Sequence, residues 1–574
     1  MPQATSPAIV AAKTGDLAVV AYRGVGAALL AFDLPQATAD SERLAGFAID
    51  RTDPKGTTRA LLNRLSFDNP LTADGGPAAR HWTDSHLAPF QYFRWVDIPP
   101  DIVKGDYTYT VTARYFTGDG AAMRDGPSAT VTLPLLVDDW EHFELGFTRG
   151  YLSSQGYVDH FHDADGKPLD FRARPNTLDY DTGPFQAQYE WLGFTGRKVL
   201  FDFLADCVAD TECSVDMFAY DFDEPDMLKQ LESLGPRLRA FLDNASLHTG
   251  DALEVDVKAR LEQSAGSDHV KAGKFQRFSH SKVLIKKDGS GTPVAVLAGS
   301  SNFSVRGLYA QANNVFVFRD EGAAGLYEDA FNQAFDHPLG EFDDAPIAAG
   351  WHDVAGTGIP STSFCFSPHK DGETSLGRVG AAIAGAGSSV FFAVMQFGSG
   401  SVTAALAALP GRDDVFSMGV IDTTDDAVVF SPSAPNGELV TYDYLHGQVP
   451  WPFVQEFGRD AQGGGKVIHD KFVVVDFNGD NPSAYFGSSN LAKGGEEANG
   501  DSLVACEDPL VVTSFAVEAV RNIDHFHFRS ARQRATTSAP LVLRSDDWWA
   551  RYYDPSNLKC RDRELFTAPA ADAH

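Results

Sequence analysis

Two short motifs occur twice in this chain, in the same order each time. The first copy has His280 and Lys282 in the segment FSHSKVLI, and the segment AGSSNFS follows it. The second copy has His469 and Lys471 in VIHDKFVVVD, and FGSSNLA follows it. An ordered pair of motifs that recurs within one chain indicates an internal duplication, so we expect two related halves that lie side by side.

The spacing inside each motif predicts which side chains meet. The His and the Lys are two residues apart in an apolar segment that is typical of a strand, and side chains two apart on a strand share one face. The Gly-Ser-Ser-Asn segment follows far enough downstream to return along a neighbouring strand to the same pocket. The sequence therefore predicts a site built from His280, Lys282, Asn302, His469, Lys471 and Asn490.

These motifs closely resemble the signature of the phospholipase D superfamily, which is H-x-K-x4-D followed by G-S-x-x-N, present twice. The second copy matches in full, with Asp476 at the acidic position, whereas the first copy has Lys287 there. The resemblance implies an α/β fold, a duplicated α/β/α body with pseudo-twofold symmetry. It also implies a phosphodiesterase whose single site is shared between the two halves.

The chemistry of a phosphodiester explains why such residues are needed. A neutral imidazole can attack phosphorus to form a covalent phosphohistidine, while a second, protonated imidazole protonates the leaving alkoxide. The two lysines and the two asparagines donate to the oxygens on which negative charge gathers. We expect Ser300 and Ser488 to add hydroxyl donors. Because two lysines supply the positive charge, the sequence predicts no metal ligands and no cofactor.

The resemblance also predicts different roles for the two histidines. In the superfamily, a residue that follows the second motif often holds the imidazole Nδ1, and the matching positions here are Asn313 and Asp501. A carboxylate partner favours the protonated ring, whereas an amide only orients it. We therefore predict that Asp501 supports His469 as the general acid and that Asn313 supports His280 as the nucleophile.

The chain before the motifs has a different pattern. Strand-like alternation with Gly, Pro and Asp-rich turns predicts a β-sandwich. The segment 107–113 resembles a strand of a fibronectin type III or related immunoglobulin-like domain. The predicted strands in this part are 17–22, 46–49, 107–115 and 129–133.

Later segments alternate between strands and helices, which is typical of an α/β fold. We predict strands at 214–220 and 389–394, followed by helices at 227–242 and 402–409. The predicted domains are therefore a sandwich at 1–138, a first phospholipase D-like half at 139–350, and a second half with a C-terminal tail at 351–574.

The net charge of −31 disfavours binding to nucleic acid or anionic lipid unless basic residues are concentrated in one place. The segment 271–287 contains six basic and no acidic residues, and we interpret it as a positive pocket. A phospholipid is the expected substrate, by hydrolysis or by transfer to an alcohol. The alternatives are a nuclease and, in another class, a non-catalytic binding protein on the same fold.

The sequence also indicates the cellular location, the state of the cysteines and the oligomeric state. The N-terminus lacks the pattern of a secretory signal, and no apolar run is long enough to span a bilayer. The five scattered cysteines do not resemble a zinc site and predict reduced thiols. We therefore expect a cytoplasmic protein, and a monomer, because both motif copies lie in one chain.

Overall fold

The computed structural model describes residues 7–73, 81–118, 122–136, 139–150, 154–173, 175–421, 437–441 and 468–571. An N-terminal β-sandwich is followed by two α/β lobes, each built on one mixed sheet. The predicted fold class is confirmed, since a β-rich part precedes a duplicated α/β body.

The N-terminal part consists of two antiparallel sheets that share a hydrophobic core. One sheet has the order β1-β2-β3-β8, the other has the order β10-β9-β4-β5, and β6 pairs with β7. In chain order the elements are β1 (Ile9–Thr14), β2 (Leu17–Arg23), β3 (Ala28–Asp33), α1 (Gln36–Glu42), β4 (Leu44–Thr52), β5 (Thr58–Ala60), β6 (Leu62–Asn63), β7 (Thr83–Asp84), β8 (Arg94–Asp97), β9 (Asp106–Phe116) and β10 (Met123–Pro134).

Strand β2 shows how the sandwich is joined to the lobes. Every residue of this strand is buried. Leu17 and Val19 pack in the core of the sandwich, whereas Val20 and Tyr22 belong to the core of the lobes. Because alternate side chains of a strand point to opposite faces, this sheet is covered on both sides.

The first lobe has a sheet in the order β11-β18-β17-β16-β12-β13-β14. Its elements, with one short strand that pairs elsewhere, are β11 (Phe143–Phe147), α2 (Ser154–His160), α3 (Gln186–Ala209), β12 (Ser214–Ala219), α4 (Pro225–Leu234), β13 (Leu238–Asp243), α5 (Leu253–Ala265), β14 (Val270–Gly273), β15 (Phe278–Ser279), β16 (Val283–Lys287), β17 (Pro293–Gly299), α6 (Val305–Tyr309), β18 (Asn314–Phe318) and α7 (Glu321–Asp336).

The second lobe has a sheet in the order β19-β20-β26-β25-β24-β21-β22-β23. Its elements and those of the C-terminal tail are β19 (His352–Val354), β20 (Thr362–Ser367), α8 (Glu373–Ala384), β21 (Ser389–Val394), α9 (Ser401–Ala408), β22 (Phe416–Ile421), β23 (Gly437–Thr441), β24 (Phe472–Val475), β25 (Ser483–Gly487), α10 (Lys493–Glu496), β26 (Asn499–Cys506), α11 (Pro509–Arg534) and α12 (Leu558–Ala571).

The two sheets share one topology. Strand β11 corresponds to β20, β18 to β26, β17 to β25, and β16 to β24, and all these neighbours pair in the antiparallel sense. Strands β12, β13 and β14 pair in parallel, as do β21, β22 and β23. Matching strand order and direction confirm the internal duplication that the repeated motifs predict.

One predicted helix is too long. The segment 227–242 contains most of helix α4, a 3-10 turn at Gly235–Arg237 and then strand β13. Gly235 has φ +56 at the end of the helix, and Pro236 follows it. A residue in this left-handed conformation followed by proline ends a helix, and this signal is present in the sequence.

The C-terminal tail packs against the sandwich rather than only against the second lobe. Helix α12 contacts β1, β2 and β3, and Trp548 lies in the core of the sandwich. All five cysteines are buried and free. Among the described residues, no helix combines the length and the apolar character that are needed to cross a membrane.

Candidate active site

The two His-x-Lys segments lie just before strands β16 and β24, not within them as the sequence predicts. Each segment is held by the opposite lobe. Strand β15 pairs in parallel with the start of β26, and the backbone N–H of His280 donates to the carbonyl of Gly500 at 2.8 Å. In the same way Ile468 forms a bridge with Ala312, whose carbonyl accepts from the N–H of His469 at 3.2 Å.

As a result, each histidine has its hydrogen-bond partner in the opposite lobe. Nδ1 of His280 lies 2.7 Å from Oδ1 of Asp501, and Nδ1 of His469 lies 2.9 Å from Oδ1 of Asn313. The predicted pairing of Asp501 with His469 and of Asn313 with His280 is therefore wrong. Each imidazole takes its partner from the other lobe, so a single site contains residues of both.

The two serines support these partners instead of pointing at a substrate. The hydroxyl of Ser488 donates to Oδ1 of Asp501, and that of Ser300 donates to Oδ1 of Asn313, each at 2.8 Å. Each hydroxyl also accepts from a backbone N–H of the neighbouring strand. The prediction that they donate to the substrate is not supported, because the proton of each hydroxyl is already used.

A glycine precedes each of these serines because the backbones approach closely there. A Cβ atom at Gly299 would lie 2.3 Å from the carbonyl oxygen of Asn314, and one at Gly487 would lie 2.4 Å from that of Ser502. No side chain fits at such distances. The close approach brings the Gly-Ser-Ser-Asn segment against the strand that carries the histidine partner.

The electrostatics of the site differ between its groups. Burial, followed by the charges of Lys282 and Lys471, lowers the pKa of His280 to about 4 despite the nearby Asp501. Burial likewise lowers the pKa of Lys282 to about 7. Although burial opposes it, His280 and Lys282 hold the pKa of Asp501 below its ordinary value. At neutral pH the His280 ring is therefore neutral, and Asp501 is charged.

The two lysines are arranged alike. The ammonium group of each donates to the carbonyl of the histidine in its own motif, at 2.6 Å between Lys471 and His469. The ammonium of Lys282 also lies 4.8 Å from the centre of the Tyr220 ring. Both lysines are buried, which strengthens their attraction for an anion.

The two asparagines of the motifs each have a buried amide oxygen without a hydrogen-bond partner. Nδ2 of Asn302 donates to Asp221 at 3.1 Å. Oδ1 of Asn302 and Oδ1 of Asn490 are both buried without a hydrogen-bond partner. Unsatisfied buried amide oxygens are rare, and they are consistent with side chains that are positioned for a bound molecule.

Asp476, predicted as a supporting residue, lies outside the site. It follows β24 at the end remote from Lys471, with φ +50, and its carboxylate accepts from the backbone N–H groups of Gly387, Ser388 and Ser389 at 2.7–3.0 Å. It therefore fixes the start of β21. Its role in this structure is to satisfy backbone donors, not to act on a substrate.

The basic segment 271–287 does not form the predicted positive pocket. Lys286 pairs with Asp206 and Asp210 at 3.1 and 3.0 Å, and Lys287 pairs with Asp216. Of the six basic residues, Lys282 is the one that lies among the predicted catalytic groups. Arg277 donates to Oδ1 of Asn499 in the second lobe at 2.9 Å, so the charge of this segment is not concentrated in one place.

Two features of the site were not singled out as catalytic by the sequence. The ring of Tyr220 meets the rings of His280 and His248 edge to face, each at 4.6 Å between centroids. Asp470, between His469 and Lys471, is buried and accepts from Nδ2 of Asn314 at 2.9 Å. Each residue has a signal in the sequence. Tyr220 lies at the end of a predicted buried strand, and Asp470 lies between the His and the Lys of the second motif.

No protein-family model matches the chain, and no curated protein matches it. Among solved structures, the chain is similar to a polyphosphate kinase from Porphyromonas gingivalis, with 10% identity over 57% of this chain and 48% of that chain, at a TM-score of 0.39. It thus spans about half the length of that kinase. It is also similar to a phosphatidylserine synthase from Haemophilus influenzae, with 9% identity over 57% of this chain and 84% of that chain, at a TM-score of 0.38.

A third similar structure is Nuc, a phospholipase D family member from Salmonella typhimurium. The identity is 21% over 32% of this chain and 97% of that chain, at a TM-score of 0.20.

Proposed function

We propose that this chain is a metal-independent phosphodiesterase of the phospholipase D type, which acts through a covalent phosphohistidine. The observation that carries the proposal is the pair of imidazoles from two lobes, each held through Nδ1 by an oxygen of the opposite lobe. With Nδ1–H donating, Nε2 of each ring is the atom that faces the chemistry. Two buried lysines and two asparagines accompany the rings.

His280 is the proposed nucleophile. Its pKa of about 4 leaves the ring neutral, with a lone pair on Nε2. Attack forms the Nε2–P bond and breaks the bond from phosphorus to the leaving oxygen. The phosphorylated ring carries positive charge, which the carboxylate of Asp501 at Nδ1 stabilises. The carboxylate thus supports the nucleophile, a role that differs from the one predicted from the sequence.

His469 is the proposed general acid and base. Its protonated ring gives a proton to the leaving oxygen in the first step and takes one from water in the second. The water oxygen then bonds to phosphorus, the P–N bond breaks, and His280 is regenerated. An alcohol in place of water would give the transfer product. Lys282 and Lys471 stabilise the charge on the phosphoryl oxygens in both steps.

A phospholipid is the proposed substrate. Two of the six basic residues in the segment 271–287, Lys286 and Lys287, are paired with carboxylates, so the segment offers less free charge to a polyanion. The net charge of −31 also opposes long nucleic acids. A diester with one anionic phosphate needs only the charge within the site.

Phospholipid turnover in EDTA with added ethanol tests this proposal. We expect wild type to form phosphatidic acid and phosphatidylethanol, and His280→Asn and His469→Asn to lose at least about a thousandfold in rate, since each removes a group that acts directly in the reaction. His162→Asn, at an exposed histidine, is the matched control and keeps full activity.

Samples of the His469→Asn variant, incubated with a substrate whose leaving group needs no proton (phosphatidyl-p-nitrophenol) and denatured in SDS at neutral pH because a P–N bond is labile in acid, should contain a phosphatidyl group linked to His280, since the loss of the base slows hydrolysis of the intermediate. Activity on single-stranded nucleic acid but not on phospholipid would replace the lipid assignment. No turnover of either substrate by wild type would favour a non-catalytic binding protein and would overturn the proposal.

A further inference from the structure

Beside the catalytic residues, the first lobe contains a second group of polar side chains. Asp221 follows strand β12, His248 lies in a short 3-10 turn after β13, and Glu254 is the second residue of helix α5. One donor atom from each of the three lies within 4.8 Å of the others. Atoms bound to one divalent cation at ordinary bond lengths of about 2.0–2.4 Å have separations of this size.

His248 provides an observation that two neighbouring carboxylates alone would not. Its side chain is 7% exposed, and its Nδ1 is 2.7 Å from Oδ2 of Asp243. Within the described part of the chain, its Nε2 makes no hydrogen bond. Histidines that bind metals commonly have their other ring nitrogen held by a carboxylate in this way, which fixes the orientation of the ring.

The two carboxylates are also held through one oxygen each. Oδ2 of Asp221 accepts from Asn302 at 3.1 Å and from Ser304 at 3.0 Å. Oε1 of Glu254 accepts from the backbone N–H of Phe222 at 3.3 Å. The side chains are therefore oriented before any ligand binds, and the two carboxylates lie close enough to share a proton, which a bound cation would displace.

We infer that Asp221, His248 and Glu254 bind a divalent transition-metal ion such as Mn²⁺ or Zn²⁺. One imidazole and two carboxylates suit these ions better than Ca²⁺, which prefers oxygen ligands alone. Three protein ligands leave the remaining positions to water or to a bound molecule.

The site is adjacent to the catalytic residues but separate from them. The Tyr220 ring lies between His248 and His280. Asn302 connects the two sites, because its amide donates to Asp221 and its side chain is 5% exposed with Oδ1 unpaired. A cation on Asp221 weakens the hold of this carboxylate on the Asn302 amide, which then becomes available to a phosphoryl oxygen.

Titration calorimetry with MnCl₂ and with ZnCl₂ on the full chain, after EDTA treatment and desalting, tests the inference. We expect one equivalent bound by wild type, and binding at least about tenfold weaker in His248→Ala and in Glu254→Gln, because each loses one of three ligands. Asp256→Asn, at an exposed position on the same helix, is the matched control and binds as wild type does.

Thermal unfolding of each variant without metal checks that it folds. If His248→Ala does not fold, the half-buried Glu254→Gln decides the result. Absence of Mn²⁺ and Zn²⁺ binding in wild type would overturn the inference, and so would unchanged binding in Glu254→Gln. Phosphodiester turnover in EDTA is measured separately, so failure of the metal site and failure of the proposed function are distinguishable.

Discussion

Nδ1 of His280, in the first lobe, lies 2.7 Å from Oδ1 of Asp501, in the second lobe. Ser488 donates to the same carboxylate oxygen at 2.8 Å, so the position of Asp501 is fixed from two sides. The nucleophile proposed for the reaction is therefore oriented by residues that follow it by more than two hundred positions. Neither lobe contains a complete site by itself.

Replacement of Asp501 by asparagine removes the charge at Nδ1 of His280 while keeping the size of the side chain. We expect kcat/KM to fall by about 100-fold or more, because an amide can donate to Nδ1 and so hold the ring in the wrong tautomer. Steady-state kinetics with a chromogenic phosphodiester measures this loss. Glu507→Gln, at an exposed acid near the same strand, is the control, and an equal effect in both variants would contradict the role of Asp501.

The pH dependence of kcat/KM follows from two shifted groups. His280 has its pKa lowered from 6.5 to about 4, so it gains a proton and loses its lone pair only below about pH 4. Lys282 has its pKa lowered from 10.5 to about 7, so it loses its positive charge as the pH rises through 7. We expect a bell-shaped profile with limbs near pH 4 and pH 7, measured at constant ionic strength.

Lys282→Arg separates the lysine from other groups that titrate near neutrality. Arginine stays charged throughout this range, so the alkaline limb should move upward even where the maximal rate is lower. An alkaline limb that stays in place would assign it to another group. An acid limb near pH 6.5 would show that burial does not dominate at His280.

Replacement of Asp476 should lower the stability of the protein without lowering its catalytic efficiency. Its carboxylate accepts from three successive backbone N–H groups, at Gly387, Ser388 and Ser389. Asp476→Ala leaves these donors unsatisfied, and we expect the free energy of unfolding to fall by about 1–3 kcal/mol. Urea denaturation measures the loss, and kcat/KM at 25 °C should stay within about twofold of wild type. A large fall in kcat/KM of the folded variant would return Asp476 to the site.

The sequence predicts the duplicated lobes and the candidate site residues from local patterns. Alternation, helix punctuation and two ordered motifs are visible within short windows. The crossed pairing of His280 with Asp501 is not local: it depends on how strand β15 pairs with β26 of the other lobe. The local sequence contains no signal for that contact, so it predicts each partner in the same half as its histidine.

The prediction of a single helix at 227–242 is wrong for a different reason. Apolar residues of α4 and of β13 follow one another with a spacing that fits a single helix, and the break at Gly235 and Pro236 was outweighed by this periodicity. The positive pocket predicted at 271–287 is wrong because of ion pairs that the local sequence does not show. The acids that pair with Lys286 lie on helix α3 and just after it. Ion pairs between distant elements depend on the tertiary structure.

Phe566 joins the sandwich to the second lobe, and its loss should destabilise both. Its fully buried ring lies 5.9 Å from that of Tyr22 in β2, 5.9 Å from that of Phe391 in β21, and 5.6 Å from that of Phe477. Phe566→Ala leaves a cavity at this junction, and we expect a loss of about 3–5 kcal/mol in the free energy of unfolding. Glu564→Ala, at an exposed position of α12, should change it by less than about 0.5 kcal/mol. Urea denaturation followed by tryptophan fluorescence compares the two variants, and similar midpoints would mean that α12 does not couple the sandwich to the lobe.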